Sequence, residues 1–252
     1  MPSGSGATAP FPGVMVMRGG GFALWPLQTP FVDGFATRLC ARERVVVVSV
    51  DFRPSLDAAF PAGLNECMSA LEWMSGVCDG LPITPGEGVT LFGDSSGGNF
   101  VLALSMMAKR DGKLRMVKGG FSVAPFIAGE EYPCERFPST VELDRYFLAQ
   151  AFLNAVVKAY GETAEDHENP LMWPLKASKE DLTGLPPTVV SVGQLDTIRD
   201  EAVAVFYTLL ESGGDAWLSI AGGAPHMFPY MNKHIPAVVS GVLAEVGAFA
   251  RR

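Results

Sequence analysis

Two adjacent serines lie in Gly93-Asp94-Ser95-Ser96-Gly97-Gly98-Asn99, directly after the apolar run Val89-Thr90-Leu91-Phe92. A serine hydroxyl is a weak nucleophile unless a base takes its proton and an acid orients that base. The stretch fits G-x-S-x-G with Ser95 at its centre; Ser96 would have Asp94 where the first glycine belongs. With a strand before and a helix after, the chain must reverse sharply, and glycines two positions either side let the backbones pass. Ser95 then points up from the sheet edge, and Ser96 opens the helix with its N–H free. A P-loop would need a lysine after its last glycine, and none follows; a G-x-G-x-x-G fingerprint is absent from the chain. A plain glycine–serine turn stays open on these seven residues alone.

The base must come from three histidines. His226 lies in Gly222-Gly223-Ala224-Pro225-His226-Met227-Phe228, just past the last apolar strand run. His167 sits among Glu165, Asp166 and Glu168 and reads as solvated; His234 precedes the terminal helix and reads as a surface residue. Asp196 occupies the loop beyond the run Thr188–Val192 and is the candidate acid, while Asp200 suits a helix N-cap or first turn. Attack on a carbonyl also creates an oxyanion, and losing one donor to it costs about 3–4 kcal/mol. Gly19-Gly20-Gly21 follows the first apolar strand run, so the N–H groups of Gly20 and Gly21, with that of Ser96, form the candidate oxyanion hole. Phe22 and Asp94, beside these elements, are the candidate substrate-binding residues. Each piece alone has a structural explanation; together and in this order they are specific.

These residues need a scaffold, and the chain alternates strand and helix patterns. Strands are predicted at Val14–Met17, Val45–Val50, Val89–Phe92, Gly120–Ala124, Thr188–Val192 and Ala216–Ile220. The run Val45–Val50 reads as buried on both faces. Helices are predicted at 62–77, 96–109, 200–210 and 235–250. Such alternation predicts an α/β fold, a mostly parallel sheet covered by helices on both faces. Between about 127 and 185 it stops, in a helical stretch rich in aromatic residues (Tyr132, Phe137, Tyr146, Phe147, Phe152, Tyr160, Trp173). This reads as a cap-like insertion in one domain spanning 1–252, its aromatic side chains either lining an apolar pocket or packing the cap.

Composition narrows the function. With 48% apolar and 18% charged residues the chain is a buried globule. A formal charge of −8 and no basic run argue against nucleic acid. No apolar run approaches the roughly 18–20 residues of a membrane span. Cys40, Cys67, Cys78 and Cys134 lack CxxC spacing and histidine neighbours, so no metal site is expected; they read as reduced thiols. The first twelve residues lack the basic and apolar regions of a secretion signal, so a cytoplasmic location is expected.

The chain resembles the hormone-sensitive-lipase-like branch of the α/β-hydrolases, which includes plant carboxylesterases and gibberellin-receptor relatives. The likeness is carried by Arg18-Gly19-Gly20-Gly21-Phe22 against HGGGF, Asp51-Phe52-Arg53 against D-Y-R and Phe60-Pro61-Ala62 against F-P-A. It continues through Gly93–Asn99 against GDS[AS]GGN, Asp196-Thr197-Ile198-Arg199-Asp200-Glu201 against D-P-L-R-D-E, and His226-Met227-Phe228 against H-G-F. The resemblance implies a cofactor-free carboxylic-ester hydrolase for a small-molecule ester, with Ser95, Asp196 and His226 as triad. A small-ligand receptor and an amide or formamide hydrolase on the same fold are the alternatives, and retention of His226 favours the enzyme. Arg18 stands where the family has histidine, so an altered oxyanion loop is expected. Family members carry a segment ahead of the oxyanion strand; here one sheet edge is expected to be short or exposed, with a homodimer as one way to cover it.

Overall fold

The structure is a computed structural model and describes residues 10–24, 29–76 and 80–252. Six strands, β1 (Gly13–Met17), β2 (Val46–Val50), β3 (Val89–Asp94), β4 (Val117–Val123), β5 (Thr188–Gly193) and β6 (Ala216–Ala221), form one sheet in the order β2-β1-β3-β4-β5-β6. Every adjacent pair is parallel. Parallel neighbours require crossovers, which α1 (Pro30–Glu43), α2 (Ala62–Ser75), α3 (Ser96–Arg110) and α8 (Arg199–Glu211) supply, while α9 (Pro236–Ala250) follows the last strand. The segment between β4 and β5 holds the shorter helices α4 (Ser139–Glu142), α6 (Ala164–Glu168) and α7 (Lys179–Leu182) around α5 (Gln150–Tyr160).

Strand alternation divides the interior into two cores. Met15, Met17 and Leu91 face one with Leu64, Leu71 and Phe100, and Val14, Val16 and Phe92 face the other with Phe35, Leu39 and Val239. β1 and β3 are wholly buried. β2 is not: it is an edge strand whose central residues are half-buried, which corrects the expectation of burial on both faces. Its valine run fits a strand with one neighbour as well as one with two.

α1 has no counterpart in the sequence-predicted elements. Pro30 starts it and Val32, Phe35, Leu39 and Cys40 give it a buried stripe, but the stripe is weakened by Gly34, Thr37 and four charged residues. The aromatic residues between β4 and β5 divide. Tyr132, Phe137, Tyr160 and Trp173 are buried, Tyr146 is 60% exposed, and Phe147 is 47% exposed. Cys40, Cys67 and Cys134 are free thiols; Cys78, Val77 and residues 1–9 lie outside the described residues. Among the described residues no helix is long and apolar enough to cross a membrane. The strand-to-helix connections meet at the carboxyl edge of the sheet, and the exposed turn 111–113, from α3 toward β4, lies at the opposite edge.

Candidate active site

Ser95 sits between β3 and α3 with φ 54° and ψ −117°, a left-handed-side conformation that costs a non-glycine residue on the order of 1–3 kcal/mol. The flanking glycines are steric requirements. A Cβ on Gly93 would overlap the Gly97 carbonyl, and one on Gly97 would overlap the Met17 carbonyl. The sharp turn is held by Ser95 N donating to Val123 O at 2.9 Å and Phe126 N donating to Ser95 O at 3.1 Å.

Asp196 follows β5 and His226 follows β6, so both arrive at the same sheet edge as Ser95. Asp196 is fully buried and both its oxygens are engaged: Oδ1 accepts Ile198 N at 3.0 Å and Oδ2 pairs with His226 Nδ1 at 2.8 Å. Burial of the His226 ring pulls its pKa down, but the charge and hydrogen bond of Asp196, aided by Asp94 and Glu201, raise it above the ordinary histidine value. Ser95 and His226 line one cavity of about 280 Å³ with Gly20, Gly21, Leu24, Met227 and the wall Phe147, Leu148, Ala149 and Phe152. The Ser95 hydroxyl is not hydrogen-bonded to the imidazole; in unliganded sites this contact is commonly long and tightens with substrate.

Gly20 and Gly21 adopt φ 115° and 59°. The Gly20 carbonyl accepts Ala23 N at 3.2 Å and Leu24 N at 2.8 Å, which fixes the loop's turn while both glycines border the cavity. Ser96 begins α3, where a first-turn N–H has no intrahelical acceptor. Of the two candidate substrate-binding residues, neither reaches the cavity. Phe22 is 1% exposed and stacks on Tyr160 with ring centroids 3.5 Å apart. Asp94 is equally buried, and its Oδ1 accepts Gly19 N at 3.0 Å and the Tyr230 hydroxyl. Burial raises the Asp94 pKa against the opposing pull of Tyr230, His226 and Gly19. Asp94 therefore ties together the glycine loop, the turn at Ser95 and the segment carrying His226.

Arg18 braces the same loop from beneath. It is 1% exposed, donates to Leu24 O at 2.6 Å and Phe52 O at 3.2 Å, and lies 4.4 Å over the Phe52 ring. A guanidinium fork can hold two carbonyls at once, and here it ties the Leu24 end of the loop to the segment after β2. Near Asp196, the fully buried Glu201 accepts Ile127 N and Ala128 N on Oε2 and the Tyr132 hydroxyl on Oε1. Burial lifts its pKa to about 7 despite these donors. His167 and His234, by contrast, lie outside the cavity lining.

A family model for the alpha/beta hydrolase fold matches residues 14–230. The chain is an α/β-hydrolase. An arylesterase of Saccharolobus solfataricus is 29% identical to it over 238 residues, covering 92% of this chain and 74% of the arylesterase. A gibberellin receptor of Arabidopsis thaliana is 29% identical over 209 residues, covering 80% of this chain and 56% of the receptor. Among solved structures, a brefeldin A esterase described as a bacterial homologue of human hormone-sensitive lipase superimposes with a TM-score of 0.91 at 33% identity, over 98% of this chain and 70% of that one. The esterase Est22 gives a TM-score of 0.90 at 30% identity, over 98% and 74%. This α/β-hydrolase thus falls in the hormone-sensitive-lipase-like branch. Tyr230 and Glu201 carry no sequence signal of their roles, because each acts through a partner 136 or at least 69 positions away.

Proposed function

We propose that this α/β-hydrolase cleaves carboxylic esters of short- to medium-chain acyl or aryl groups through an acyl-enzyme. Ser95 Oγ attacks the ester carbonyl as His226 Nε2 takes its proton, and Asp196 holds the imidazole by Nδ1 and offsets its positive charge. The carbonyl oxygen becomes an oxyanion facing the N–H groups of Gly20, Gly21 and Ser96. Collapse breaks the C–O bond, and the imidazolium returns its proton to the departing alcohol. Water then gives its proton to His226 as it attacks the acyl-Ser95 carbon; the bond from that carbon to Oγ breaks, the acid leaves, and the imidazolium returns its proton to Ser95 Oγ.

One observation supports this reading above the rest: a strained serine and a buried, carboxylate-paired histidine line the same cavity. A receptor for a carboxylated ligand would want a cation in the pocket, and the lining side chains other than Ser95 and His226 are apolar. The free thiols Cys40, Cys67 and Cys134 support a reducing, cytoplasmic setting. Wild type and Ser95→Ala, assayed with p-nitrophenyl butanoate and labelled with a fluorophosphonate, test the chemistry. Wild type is expected to release nitrophenolate and take the label on Ser95. Equal, slow release from both proteins, or labelling at Ser96, would sink the reading.

A further inference from the structure

Thr197 is the residue after the catalytic acid and stands where the D-P-L-R-D-E pattern has proline. It is 1% exposed and outside the cavity. Its hydroxyl proton is shared between Leu143 O at 2.8 Å and Leu148 O at 3.2 Å. Its carbonyl accepts Ser139 Oγ at 3.0 Å, and Ser139 is further joined to Asp200 by Asp200 N to Oγ at 3.1 Å and Ser139 N to Oδ2 at 2.7 Å. The acid turn is therefore fastened to the segment between β4 and β5 at two places.

The loop so fastened carries part of the cavity wall. Leu143 and Leu148 are the two ends of a tight turn, closed internally by Arg145 N to Leu148 O at 2.8 Å and Tyr146 N to Leu143 O at 3.1 Å. Phe147 and Leu148 in this turn, with Ala149 next to it, border the cavity, and the Phe147 ring centroid is 6.2 Å from that of His226. The internal bonds give the turn its shape. The Thr197 hydroxyl ties both its ends to the residue next to Asp196.

We propose that Thr197 is a specificity-determining positioning residue, whose hydroxyl fixes the Phe147–Ala149 wall relative to the catalytic acid and so sets how well the site holds longer acyl groups. This rests on the esterase reading above. A wall held in place gives an apolar chain a preformed surface, while a loosened wall must be ordered at the expense of binding. Proline cannot supply this tether, having no side-chain donor.

Thr197→Val keeps the branched shape and removes the donor; Thr197→Ser keeps the donor. Kinetics with p-nitrophenyl acetate and hexanoate read the effect on binding, and hydrogen exchange of the 143–149 amides reads the tether itself. In Thr197→Val, KM for hexanoate should rise about five- to tenfold, the hexanoate-over-acetate preference in kcat/KM should fall by a similar factor, and exchange at 143–149 should quicken. Thr197→Ser should stay close to wild type in all three. An unchanged preference in Thr197→Val, equal losses for both esters, or unchanged exchange would overturn the proposal. If wild type itself releases no nitrophenolate, the esterase reading fails, and exchange alone then decides whether Thr197 holds the wall.

Discussion

In the proposed mechanism the His226 ring must be neutral to accept the Ser95 proton, and its surroundings raise its pKa above the ordinary value even though burial opposes this. Activity should therefore be present at high pH and fall as pH drops through a midpoint above about 6.5. A kcat/KM profile against pH checks this. Asp196→Asn removes the main raising influence, so the midpoint should move down while kcat falls roughly ten-thousandfold. Tyr230→Phe deletes the hydroxyl that donates to Asp94. Losing a hydrogen bond to a buried carboxylate should lower unfolding stability by ~2 kcal/mol. Because Asp94 also holds Gly19, kcat should drop about tenfold with little change in KM; urea unfolding and steady-state kinetics measure the two. At this scale the sharp turn at Ser95 is legible, since the demands on Gly93 and Gly97 are local to it. Nothing in the stretches that hold Phe22 and Asp94 reveals that Tyr160 and Tyr230 will meet them.

Elements carry the site by where they end. β3 ends directly before Ser95, β5 three residues before Asp196 and β6 five residues before His226, and the parallel arrangement gathers those ends on one edge. The approach of α3 to β1 is so close that Gly97→Ala should cost ~3 kcal/mol, because its Cβ cannot coexist with the Met17 carbonyl. A urea midpoint equal to that of wild type would contradict the steric account of the motif. The six strand runs can be read from β-branched clusters, but the depth of β2 cannot: sequence pattern reports hydrophobicity, whereas edge position depends on which strands pair. α1 escaped notice because its buried stripe is short of apolar residues and interrupted by Gly34.

Across the whole molecule, Glu201 joins the segment after β4 to α8 by three hydrogen bonds. Its folded pKa of about 7 lies above the unfolded value of 4.5, so protonated Glu201 favours the fold. That contribution is complete below the unfolded value and disappears as pH rises through about 7. Wild type should thus lose more unfolding free energy than Glu201→Gln between about pH 5 and about pH 8. Identical losses in the two proteins would refute the assignment. None of this coupling was visible in the chain, because it joins residues that meet only once the sheet has formed. The polarity of the sheet has a practical side as well. Since Ser95, Asp196 and His226 collect at one pole, the solvent-facing turn 111–113 at the other pole is a natural handle, where a tag or fused reporter could be spliced in without crossing the mouth of their cavity.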